Sequence, residues 1–269
     1  MNEYKVCVVI PAGRKRYMQL LISQILKQSH SWDELQIWKN TNVREDIEYI
    51  DSLPSLHPNI RVIESPIKRR GDSWAGSTIY QFFKNCLDPN TVYIRFDDDV
   101  CYIDPFLIRR LAERRWSDKE SFLVSPLVIN NAVCTWLLQG NGLCSDMSAV
   151  SRNCVDDIGW KDPLFAERLH RWFLTGGYEQ IRNLNHAYKT NERYSINCIS
   201  WLGSKFAEFG GVVGIDEETW LSQEYVQQNG LMNTIHTDLT CAHFAFFPQR
   251  DHMDRTDILQ CYENFINNQ

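Results

Sequence analysis

An α/β fold with a mostly parallel central sheet is predicted by three observations on this chain. The run Val6-Cys7-Val8-Val9-Ile10 is apolar without alternation, strand-like and helix-like periods alternate over roughly residues 1–100, and 269 residues are enough to bury one large core.

The first strand is apolar on both faces, as a strand sandwiched between helix layers must be, and it runs into Pro11-Ala12-Gly13. Met18, Leu21, Ile22, Ile25 and Leu26 then recur at helical spacing and form one stripe that packs on a sheet. Residues 35–39 and 60–63 read as the second and third strands, with a short helix around Ile47 and Ile50 between them. Ala75, Ile79, Phe82, Phe83 and Cys86 give another amphipathic helix, capped by Asp72 or Ser73, and residues 91–96 form the strand after it. Such alternation implies right-handed crossovers, and ligands of such sheets bind beyond the carboxyl ends of the strands.

The second half is less regular. Residues 122–129 and 133–138 read as strands, Asp162-Pro163 opens a helix that Gly176-Gly177 closes, and residues 195–209 read as helical up to Gly210-Gly211. Gly214-Ile215-Asp216-Glu217-Glu218 opens a further helix carrying Trp220, Leu221 and Tyr225. Residues 239–247 read as a strand, and Ile258, Leu259, Tyr262, Phe265 and Ile266 as a C-terminal amphipathic helix. No repeat or linker interrupts the chain, so residues 1–269 are expected to fold as one unit.

A net charge of -6 argues against a protein whose main task is gripping a nucleic-acid backbone, which requires many cations. A single nucleotide needs only a local basic site, and Arg14-Lys15-Arg16 and Lys68-Arg69-Arg70 are two such clusters. Nine cysteines, with no CxxC pair in a chain too long to need staples, read as reduced thiols. Residues 1–5 lead straight into the first strand with no signal-peptide core, and no apolar run is long enough to cross a membrane; the cytoplasm is the expected compartment.

Three consecutive carboxylates, Asp97, Asp98 and Asp99, follow Val92-Tyr93-Ile94-Arg95-Phe96 and so stand at the carboxyl end of a predicted strand. Adjacent negative charges repel unless something cationic holds them, and a divalent metal is the simplest candidate. Side chains alternate along an extended chain, so Asp97 and Asp99 are expected to project together, with Asp98 opposite. Helix capping does not require the triplet, because Asp104-Pro105 already supplies a cap and a proline at the first helical position. Mg2+ or Mn2+ typically takes one or two carboxylates and completes its shell with water and substrate phosphates, which suggests a metal-phosphate site.

Four features in this order make the chain resemble the GT-A superfamily of nucleotide-sugar-dependent glycosyltransferases, of the DxD-containing, family 2-like kind. Ile10-Pro11 ends the first strand before a basic loop; Asp97-Asp98-Asp99-Val100 is similar to the DxD motif; Asp216-Glu217-Glu218-Thr219-Trp220 is similar to the acidic acceptor-side motif; and His243, in Ala242-His243-Phe244, resembles a C-terminal metal-ligating histidine. The resemblance implies a three-layer α/β/α GT-A fold with a Rossmann-like nucleotide-sugar-binding half at about residues 1–100 and an acceptor-binding half at about residues 101–269. It implies an enzyme that transfers a sugar from a nucleotide-sugar, with UDP the expected nucleotide, to a carbohydrate or other hydroxyl acceptor, with Mn2+ or Mg2+ as cofactor.

The same resemblance distributes roles. Asp99 would bind the metal, while Asp97 or Asp98 would reach donor hydroxyls or a metal-bound water. Asp97 and His243 complete the candidate metal set, and His252 is a rival imidazole. Pro11, Ala12, Arg14 and Arg16 would line the nucleotide pocket, with Asn40, Gly71 and Ser73 near the base. Asp216 is the first choice of general base for an inverting transfer, with Glu217 and Glu218 as close alternatives. Trp201 and Trp220 are the candidate acceptor-stacking rings.

Two other classes compete. A nucleotidyltransferase uses the same type of sheet, but usually with a Gly-rich loop after the first strand, and residues 11–16 contain one glycine. A non-catalytic carbohydrate-binding protein would use Ca2+, which needs six to eight oxygens from a longer acidic loop.

Overall fold

The computed structural model describes residues 3–65 and 76–269. Among these residues nine strands form one sheet: β1 (Lys5–Ala12), β2 (Glu34–Lys39), β3 (Ile60–Glu64), β4 (Thr91–Phe96), β5 (Val100–Ile103), β6 (Val124–Ile129), β7 (Ala187–Thr190), β8 (Cys198–Leu202) and β9 (Asn233–His243). Their order is β3-β2-β1-β4-β8-β6-β9-β5, with β7 also paired to β9. Strands β1, β2, β3, β4, β6 and β9 point one way, and β5, β7 and β8 point the other. Helices cover both faces, which gives the three-layer, mostly parallel α/β/α architecture that the resemblance implies.

The four parallel strands of the first half fall at the stretches expected to form them, and β4 is buried along its whole length. Helix Lys15–Lys27 buries Met18, Leu21, Ile22 and Ile25, each worth about 1.5–3 kcal/mol of apolar burial. Its buried Gln24 is satisfied by β5, accepting from Ile103 N at 2.9 Å and donating to Cys101 O at 3.2 Å. The helix thus covers the edge strand that follows the aspartate triplet.

Three expectations for the second half are corrected. Residues 133–138 are not a strand but part of helix Ala132–Gly140, started by Asn131, whose side chain accepts from Cys134 N. A short apolar run has no periodicity that separates a buried helix from a buried strand. Within residues 195–209, only Gly203–Ala207 is helical; Cys198–Leu202 is strand β8, antiparallel to β4. The strand expected at 239–247 begins earlier, at Asn233, and stops at His243. The helix around Ile79 to Cys86 breaks into Gly76–Ile79 and a 3-10 turn at Phe82–Asn85, while its expected caps Asp72 and Ser73 lie outside the described residues.

Candidate active site

The carboxyl ends of β1, β4 and β9 and the amino end of β8 meet at one edge of the sheet, and this is where the triplet lies. Residues 97–100 form a turn closed by Val100 N donating to Asp97 O at 3.1 Å, so the chain here is not extended. The turn still separates the side chains as expected. Asp97, Asp99 and His243 present ligand atoms within 4.8 Å of one another, while Asp98 faces the loop after β1.

Asp98 organises that loop. It accepts from Gly13 N at 2.8 Å and from Arg14 Nε at 2.9 Å. A Cβ on Gly13 would approach Asn40 O to 3.0 Å, so glycine permits the close passage between the β1 and β2 ends. Asn40 ties the same corner, its backbone N donating to Ala12 O at 2.8 Å and its side chain accepting from Thr78.

Asp99 is 1% exposed and is held by three cationic or potentially cationic groups. Arg14 Nη2 is 3.0 Å and Arg250 Nη2 2.9 Å from Oδ2, and His243 Nε2 is 3.3 Å from Oδ1. Burial alone would raise its pKa, but the charge of Arg14, then His243 and Arg250, holds it well below the usual carboxylate range. Asp97 accepts from Arg95 Nη2 at 2.7 Å and from Asn197 Nδ2 at 3.1 Å. Arginines therefore already balance the triplet, and the repulsion that suggested a metal is answered within the chain.

The donor set nevertheless fits a divalent ion. Two carboxylates and an imidazole converge, and Nδ1 of His243 is buried without a hydrogen-bond partner. His252 instead faces Glu167 at 2.7 Å and joins no such group among the described residues.

The acidic residues expected on the acceptor side separate sharply. Asp216 is half exposed and caps its helix, accepting from Thr219 N at 3.1 Å and Thr219 Oγ1 at 2.8 Å. Glu218 is bound by Arg193 at 2.9 Å and accepts from Cys154 Sγ at 3.3 Å. Glu217 is buried, with Oε1 3.5 Å from Arg95 Nη2 and Oε2 without a partner. Burial pushes its pKa up to about 7 against the opposing charge of Arg95.

Other expected residues are scattered. Arg16 reaches Asp254, its Nη2 donating to the backbone O at 2.8 Å. Trp201 has no exposed face: it is wholly buried, stacked on Tyr93 at 5.5 Å and Phe206 at 4.9 Å, which corrects its reading as an acceptor platform. Trp220 packs on Tyr225 and Phe209. Gly71 and Ser73 lie outside the described residues. Sequence reasoning missed Arg95, Asn197 and Arg250. Only Arg95 carried a signal, as a charge inside an otherwise buried strand.

No protein-family model and no curated protein matches the chain. Among solved structures, S. aureus TarS 1-349 is similar over 98% of this chain and 72% of its own, at 11% identity and a TM-score of 0.49. The 4-diphosphocytidyl-2C-methyl-D-erythritol synthase of Anaerococcus prevotii is similar over 48% of this chain and 57% of its own, at 14% identity and a TM-score of 0.35. A further structure of a synthase with that name is similar over 46% of this chain and 59% of its own, at 14% identity and a TM-score of 0.34. The matched region thus spans less than two thirds of either synthase.

Proposed function

We propose that this chain is a metal-dependent glycosyltransferase that moves a sugar from a nucleotide-sugar, with UDP the favoured nucleotide, to an acceptor hydroxyl. The observation that carries the reading is the convergence of Asp97, Asp99 and His243 within 4.8 Å, with buried Glu217 on the other side of Arg95. Asp97, Asp99 and His243 would hold the cation, and their mixed oxygen and nitrogen donors suit Mn2+ better than Mg2+. Bound there with the donor diphosphate, the ion would offset negative charge as it grows on the leaving nucleoside diphosphate.

The remaining steps belong to side chains. Arg14 and Arg250 add fixed positive charge beside Asp99, on the leaving-group side. Asp98 keeps the loop of Pro11, Ala12, Gly13 and Arg14 in place against the donor. Glu217 takes the proton of the acceptor hydroxyl as that oxygen bonds to the anomeric carbon, opposite the breaking bond to phosphate, so the reaction inverts. A carboxylate with a pKa of about 7 is well matched to that transfer near neutral pH. Asp216 supports Glu217 by capping the helix that presents it.

Nucleotidyl transfer is the second reading, favoured by the two arginines flanking Asp99, which suit a triphosphate as well as a diphosphate. Product analysis with Mn2+ separates the two. Release of a nucleoside diphosphate from a UDP-sugar supports glycosyl transfer, whereas release of pyrophosphate from a nucleoside triphosphate and a sugar phosphate overturns it in favour of the second.

A further inference from the structure

Arg95 is 3% exposed in a strand whose every residue is buried, two positions before the triplet. Its Nη2 lies 2.7 Å from Asp97 Oδ1 and 3.5 Å from Glu217 Oε1, and its guanidinium sits 5.9 Å from the centre of the Phe83 ring. Nε and Nη1 are buried without hydrogen-bond partners. A buried arginine with two unpaired nitrogens is a poor stabilising device, and such groups point to a role in the site.

Resting on the metal reading above, we propose that Arg95 is a positioning residue that couples the metal side of the site to the acceptor side. One nitrogen faces two carboxylates, which compete for it. Asp97, once its charge is shared with a cation, holds Nη2 less tightly and leaves it to Glu217, which is then drawn to a fixed place. Glu217 in turn loosens the grip of Arg95 on Asp97 and favours cation binding, because coupling between two sites is reciprocal. Arg95 thereby ties acceptor-side readiness to a loaded donor side.

Calorimetric titration of Mn2+ into the 269-residue chain tests this in a double-mutant cycle. Glu217→Gln is expected to weaken Mn2+ binding about fivefold when Arg95 is present and less than about twofold in the Arg95→Met background. If Arg95→Met does not fold, Arg95→Lys decides, since its single ammonium lacks the fork and should cut the effect of Glu217→Gln to below about threefold. An undiminished effect in either background overturns the coupling but leaves the metal site standing. Failure of the wild-type chain to bind Mn2+ overturns both.

Discussion

Asp99 places Oδ1 3.3 Å from Nε2 of His243 and Oδ2 2.9 Å from Nη2 of Arg250, so one buried carboxylate faces a candidate metal ligand on one side and a fixed cation on the other. On the proposed function, Arg250 should therefore affect Mn2+ and UDP in opposite directions. Arg250→Ala should tighten Mn2+ binding about threefold or more, since a nearby like charge is removed, and should weaken UDP binding. Separate calorimetric titrations of each ligand check this, and weaker Mn2+ binding would show that Arg250 shapes the ligand set rather than competing with it.

Glu217 and Asp216 are adjacent in sequence but differ in surroundings, and the proposed roles follow from that difference. At saturating Mn2+, Glu217→Gln should leave UDP binding within about twofold and lower turnover about a hundredfold or more. Asp216→Ala should cost about 1 kcal/mol of stability through the lost cap and lower turnover far less. Hydrolysis of a UDP-sugar and urea unfolding of both variants distinguish them; the reverse ranking of turnover would return the base to Asp216.

The pKa of Glu217 also makes a stability prediction. Raised from 4.5 to about 7, it means that the native state binds this proton more firmly than the unfolded state. The contribution is fully present below pH 4.5 and is lost as pH rises through 7, a change of about 3 kcal/mol for a shift of this size. Glu217→Gln has no such titration, so unfolding free energies should move in the variant's favour by up to that amount between pH 4.5 and 8. Parallel pH profiles of the two proteins would show that Glu217 is not the perturbed group.

Asn131 links helix Ala132–Gly140 to the site. It caps the helix and donates to Ser195 O at 2.9 Å and Asn197 Oδ1 at 3.2 Å, and Asn197 in turn holds Asp97. Asn131→Ala should cost about 2 kcal/mol, because it removes a cap and leaves buried partners unpaired. Urea unfolding reads this directly, and a loss near zero would mean that the network relaxes without it.

Much of this arrangement was legible in the chain, for identifiable reasons. Strand β1 contains a continuous apolar run with a clear end, β2 to β4 are short apolar-rich stretches after it, and the separation of Asp97 and Asp99 from Asp98 followed from alternation even though a turn produces it. Residues 133–138 and 198–202 misled because buried helix and buried strand are equally apolar, and Asn131 marks the difference only for the first of them. The contacts of Arg95 with Glu217 and of Arg250 with Asp99 join segments far apart in sequence, so no local pattern announces them. Which of Asp216, Glu217 and Glu218 turns inward depends on how their helix packs, which spacing at a helix start leaves open.

The central claim is that Asp97, Asp99 and His243 form a cation site through which a nucleoside diphosphate binds. Calorimetric titration of UDP with and without Mn2+, on the wild-type chain and on Asp99→Asn and His243→Ala, tests it most directly. Binding should require Mn2+ and should weaken about tenfold or more in each variant. UDP binding that is indifferent to Mn2+ and to both substitutions would contradict it.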